Sequence, residues 1–140
     1  MADNATVKYV WPPDWDVSEP SAFVAKVTIL LQNLSDGTGE SLARKIAASG
    51  FTLPTGEPVT RIGILGVEYI AAGMNVEILW DRTPRERALL LPAGQGALCF
   101  EREGGLWDNG GEGGTGDLLV TTTAHTANDA YSINLRLALA

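Results

Sequence analysis

The last ten residues constrain the fold more than any other stretch. Tyr131, Ile133, Leu135, Leu137 and Leu139 alternate with Ser132, Asn134, Arg136 and Ala138. A period of two puts one row of side chains in a core and the other in water, which is the pattern of a half-buried β-strand. Val24 to Leu34 repeats it, with Val27, Ile29 and Leu31 opposed to Lys26, Thr28 and Gln32. Met74 to Asp81 does so again, with Met74, Val76, Ile78 and Trp80 facing away from Asn75, Glu77, Leu79 and Asp81. Thr60 to Ala72 is rich in Ile and Val, and Gly63 and Gly66 mark bulges or close approaches of backbone. Ala72-Gly73 reads as the turn that pairs this segment with Met74 to Asp81 in a hairpin. Shorter strands are expected at 41–47, 88–92, 97–100 and 118–123, the middle two separated by a Gly94-Gln95-Gly96 turn. Residues 41–47 also suit a short helix by propensity, but a lone two-turn helix is marginal.

Seven to nine short strands predict an all-β fold, a single antiparallel β-sandwich or barrel-like domain over residues 23–140. Residues 1–22 are expected to be an extended N-terminal arm. Its Trp11-Pro12-Pro13-Asp14-Trp15 segment holds adjacent prolines that favour extended backbone and cannot donate to a ladder.

At 140 residues, the chain is long enough for one core without covalent staples. Its net charge is −7 and it contains no run of Lys or Arg, which argues against binding nucleic acid through phosphates. The acidic balance disfavours anionic membranes, and no apolar run approaches a membrane span. The N-terminus lacks the basic and apolar regions of a signal peptide. The single cysteine, Cys99, excludes an intramolecular disulfide and sites built on cysteine pairs. Flanked by Leu98 and Phe100, it reads as a small buried hydrophobe.

Residues 104–116 carry seven glycines in thirteen positions. Glycine-rich backbone can cradle an anion, but no Gly-Lys-Ser/Thr follows and the next segment reads as a strand, not a helix. Asp108, Glu112 and Asp117 lack the spacing of a calcium loop. His125, the only histidine, sits in a polar turn, and no Gly-X-Ser-X-Gly nucleophile elbow occurs. Carboxylate pairs such as Glu101 with Glu103, or Glu77 with Asp81, are expected by chance among 17 acidic residues. No catalytic, metal or cofactor-binding residue is therefore assigned. A glycine-rich loop is costly to order and buries little of itself, so a partner is the natural reason to keep one. The interface candidates are Trp11, Pro12, Pro13 and Trp15 in the arm, and Trp107, Gly110, Gly111, Gly113 and Gly114 in the loop.

The run Gly113-Gly114-Thr115-Gly116-Asp117-Leu118-Leu119-Val120-Thr121-Thr122-Thr123, with Thr126, Asp129 and Tyr131 beyond it, carries a resemblance. Asn33-Leu34-Ser35-Asp36-Gly37-Thr38-Gly39-Glu40 and Glu77-Ile78-Leu79-Trp80-Asp81 contribute to it. From about residue 7 onward the chain resembles small structural proteins of tailed bacteriophages of aquatic bacteria. That resemblance implies a capsid decoration or cement protein, a non-enzymatic virion subunit on the capsid exterior. Its expected partners are the major capsid protein and further copies of itself. The alternative expectation is a phage fibre, neck or carbohydrate-binding module.

Overall fold

The computed structural model describes residues 3–11, 26–82, 86–108, 114–123 and 125–140. Within them lie nine strands and two short 3-10 turns, and no α-helix. The strands are β1 (Asn4–Trp11), β2 (Lys26–Asp36), β3 (Ala43–Ile46), β4 (Ile62–Ala72), β5 (Asn75–Arg82), β6 (Glu86–Leu91), β7 (Gly94–Cys99), β8 (Gly114–Thr123) and β9 (Ala127–Leu139). They form two antiparallel sheets, β1-β2-β9-β4-β7 and β3-β8-β5-β6. The protein is a β-sandwich, as the alternation predicts.

The inward rows of the two sheets meet in one core. Val27, Ile29 and Leu31 of β2, Ile62, Ile64 and Val67 of β4, and Ile133, Leu135 and Leu137 of β9 face Val76, Ile78 and Trp80 of β5 and Leu118 and Val120 of β8. All are essentially excluded from solvent. Each buried aliphatic side chain contributes about 1.5–3 kcal/mol relative to exposure.

Several expectations need correction. The predicted hairpin is absent, because β4 pairs with β7 and β9 whereas β5 pairs with β6 and β8. The turn at Gly73 carries the chain from one sheet to the other. That glycine has φ +82, and a Cβ there would collide with the Asp129 carboxylate. Gly94-Gln95-Gly96 is not a turn but the first half of β7, paired with Ala71, Ile70 and Tyr69. A Cβ at Gly96 would lie 3.1 Å from the Tyr69 ring, close enough that the ring would have to shift. The arm expected over residues 1–22 is a paired strand from Asn4 to Trp11, running Asn4↔Leu34 to Trp11↔Thr28 along β2. Residues 12–22 lie outside the described residues. Cys99 is exposed rather than buried. The segment at 41–47 does contain a strand, β3, although only four residues long.

The expected close approaches at Gly63 and Gly66 are present. The Trp107 indole lies against Gly63, and the Arg136 guanidinium fills the space where a Gly66 side chain would stand. A bulge between Ile64 and Gly66 accompanies them.

Candidate interaction surfaces

Most of the described carboxylates that invited a catalytic reading are paired with cations. Asp81 and Asp117 both take the Arg44 guanidinium, and Asp117 also accepts from the buried Ala48 N–H at 2.8 Å. Glu77 pairs with Arg87 at 3.1 Å, Glu101 with Arg136 at 2.7 Å, and Asp108 with Arg82 at 2.8 Å. Asp108 and Asp117 therefore serve different cations, and Glu112 lies outside the described residues. His125 is half-buried against Gly39, with Nδ1 3.4 Å from the Thr122 hydroxyl. Among the described residues, no group of three His, Cys, Asp or Glu side chains is placed to hold a metal ion.

The glycine-rich segment is partly built into the fold. Leu106 exchanges backbone hydrogen bonds with Ile64 at 2.8 Å, and Gly114 and Gly116 belong to β8. Trp107 is half-buried: it lies on Gly63, its indole N–H donates to the Gly104 carbonyl at 2.9 Å, and Arg61 stands 4.9 Å from the ring centroid. The structure thus uses Trp107 for internal contacts. Trp11 is placed only by its backbone, at the end of β1. Pro12, Pro13, Trp15, Gly110, Gly111 and Gly113 lie outside the described residues.

Sequence reasoning missed two features. The first is a buried polar cluster joining β1, the β2–β3 loop and β9. The Glu40 carboxylate pairs with the Lys45 ammonium, both side chains being more than nine-tenths buried. It also accepts from Asn33 at 2.7 Å and from the Tyr131 hydroxyl at 2.5 Å. Burial, then the hydrogen bond to Glu40 and the charge of that carboxylate, drive the Tyr131 phenol well above its ordinary 10, so it stays a donor. Asp3 closes the cluster, accepting from Gly39 N–H at 3.0 Å and Asp36 N–H at 3.2 Å. Burial opposes its charge, but those N–H groups and the Asn33 amide hold it below 3.8.

A carboxyl with a lowered pKa contributes stability that is full above the unfolded value and lost as pH falls through the folded one. Asp3→Ala should therefore lower the melting temperature near pH 7 and flatten its fall below about pH 4. Parallel melting curves across pH 3–7 for the parent and Asp3→Ala would show that Asp3 fastens nothing.

The second feature is the contrast between the two outer faces. On the β3-β8-β5-β6 sheet, Arg44, Glu77, Asp81 and Arg87 surround the outward Leu79 and Leu119, which are buried all the same. The opposite face has no such cover. Outward positions of β2, β9 and β4 bring Leu30, Leu34, Ile70, Ala72 and Ala130 together with Gln32, Ser132 and Asn134. Glu68 lies within that area, and Lys8, in register with Leu30, and Arg136 border it. Ile70 is 57% exposed and Leu34 51%. Two adjoining shallow depressions, about 490 and 470 Å³, run across this face. A side-by-side apolar set with little charge is the composition of an interface centre. The pattern HPHPH hid it, because outward Leu30, Leu34 and Ile70 are scattered in sequence and meet only once β2, β9 and β4 are in register.

No protein-family model matches the chain, and no curated protein does. Among solved structures it is similar to a point mutant of the family 29 carbohydrate-binding module CBM29-2 (TM-score 0.41, 10% identity, 98% of this chain and 91% of that one). Another mutant of that module aligns with a TM-score of 0.38 at 10% identity, over 86% of this chain and 66% of that one. Cobalt(II) HppE in complex with Tris buffer aligns with a TM-score of 0.33 at 13% identity, over 94% of this chain and 52% of that one. Likenesses of this size say nothing about a ligand.

Proposed function

We propose that this chain is a non-catalytic structural subunit that works in many copies, the capsid decoration or cement protein of a tailed phage that its sequence resembles. The observation that supports this reading is the charge-poor outer face of the five-stranded sheet, centred on Ile70 and Leu34. Its apolar centre, bordered by Lys8, Lys26 and Arg136 and holding Glu68, suits the flat surface of another protein better than it suits a small ligand. Among the described residues, the ion-paired carboxylates are not arranged as the convergent set of titratable groups that an active site needs. A carbohydrate-binding reading wants an aromatic platform; the aromatic residues bordering the two depressions are Tyr69 and the buried Tyr131, and no outward position of β2, β9 or β4 is aromatic.

The test is attachment to capsid shells stripped of this protein. Ile70→Asp and Leu34→Asp should leave the melting temperature within a few degrees and lower shell binding at least tenfold. Location at the tail, or binding undiminished in both variants, would sink the proposal.

A further inference from the structure

We infer that β7 is an assembly edge, joining two copies of the chain by antiparallel β7–β7 pairing about a two-fold axis at Ala97. The inference rests on the reading above that the protein works in many copies, and it names how the copies meet.

A strand edge presents unpaired N–H and C=O groups, and proteins that stay monomeric blunt such edges with charge, proline or brevity. The other outermost strands are blunted in this way. β1 carries Lys8, β3 is four residues long and holds Arg44 and Lys45, and β6 begins Glu86-Arg87. β7, Gly94-Gln95-Gly96-Ala97-Leu98-Cys99, has no charge and no proline. Among the described residues it is bonded to β4 on one side only, and all six of its residues are exposed. Exposure on both faces means that β7 overhangs the sandwich, so an approaching copy meets the edge before it meets the second sheet.

The register follows from the hydrogen bonds. Phe100 N–H donates to Leu65 O at 2.7 Å, so the even-numbered residues 96 and 98 turn their amides toward β4. Gln95, Ala97 and Cys99 turn theirs to the free edge. Antiparallel pairing of these three with a second copy sets Ala97 opposite Ala97 and Gln95 opposite Cys99, with about six backbone hydrogen bonds. On the other face, Leu98 of each copy then stands over Gly96 of its mate. Leu98 is 44% exposed, and the Tyr69 ring stands beside Gly96, so the leucine of each copy meets the ring of its mate. The same apolar contact repeats on both sides of the axis, as an isologous interface requires.

The axis is perpendicular to the sheet, so both charge-poor outer faces point the same way. One continuous surface, twice as wide, is offered to a shell, and two weak contacts act as one. The charged faces of both copies point to the opposite side. With a net charge of −7 per chain, two copies approach best through an uncharged edge.

The test needs no shell, so its outcome is separate from that of the attachment experiment. Cys99 is the only cysteine and is exposed, and it accepts a nitroxide label without further mutation. The register places the two labelled Cα atoms about 14 Å apart. Expected results are a dimer by sedimentation, and dipolar broadening that disappears on dilution with unlabelled protein. Ala97→Lys, which opposes two ammonium groups at the axis, should weaken the dimer at least tenfold at an unchanged melting temperature. Gln95→Lys serves if that variant is destabilised. A monomeric parent, or a dimer without broadening, overturns the inference. So does a folded lysine variant that dimerises like the parent.

Discussion

Leu135→Asp is expected to give no folded protein, while Asn134→Asp, one residue away, folds. Leu135 is fully buried and faces inward from β9, flanked in register by Ile29 on β2 and Val67 on β4. Removing the leucine side chain alone costs about 2–5 kcal/mol. An unpaired carboxylate in its place adds several more, on the order of the whole 5–15 kcal/mol that stabilises a domain. Tyr131→Asp belongs with it, because it deletes a buried ring and sets a second carboxylate beside Glu40. Asn134 and Ser132 point to the open outer face between Leu30 and Glu68 or Gln32 and Ile70, where a charge keeps its water. Soluble yield and far-ultraviolet circular dichroism separate the two sets. Loss of both would mean that β9 is covered on both faces. The same Asn134→Asp protein, if folded, also charges the face proposed to meet the shell, so its attachment should drop even though its stability does not.

The fold class was legible because alternation reports directly on burial. Tyr131 to Leu139 and Val27 to Leu31 could be read residue by residue, and their inward rows are buried as expected. Strand partners were not legible, since a period of two fixes the face of a strand but not its neighbour. The segments on either side of Gly73 each have one apolar face, and a hairpin would satisfy both. Only the packing of two whole sheets sends β4 to β9 and β5 to β8. Cys99 failed for a related reason. Leu98 and Phe100 make its surroundings look like core, but nothing local tells that β7 overhangs the second sheet. The strand Asn4 to Trp11 reads as part of an arm because the adjacent Pro12 and Pro13 favour extended backbone that cannot donate to a ladder. Its pairing is dictated by the free edge of β2, which is a property of the assembled sheet. The candidate contact face was invisible for the same reason, as its residues come from three strands distant in sequence.

Glu40→Ala should remove about 3–5 kcal/mol of stability, lowering the melting temperature by on the order of 10 °C. Glu40 looks in sequence like one more solvated carboxylate after the turn at Gly37 to Gly39. In the structure its side chain is 7% exposed and that of Lys45 is 9% exposed. Two charges withdrawn from water are tolerable only together, and truncation of one leaves the other uncompensated. The alanine variant strands the Lys45 ammonium and also takes an acceptor from Asn33 and from the Tyr131 phenol, each of which is buried. A buried polar group without a partner costs a further 1–3 kcal/mol or so. The double variant Glu40→Leu with Lys45→Met is the decisive comparison. An apolar pair of similar volume removes both desolvation penalties at once, so it should recover much of what Glu40→Ala loses. Full recovery is not expected, because the Tyr131 phenol still lacks its acceptor and the Asn33 amide keeps only Asp3. Urea unfolding followed by tryptophan fluorescence gives both numbers. A Glu40→Ala protein within about 1 kcal/mol of the parent would mean that water reaches Lys45 and that the cluster does not fasten β1 and the β2–β3 loop to β9.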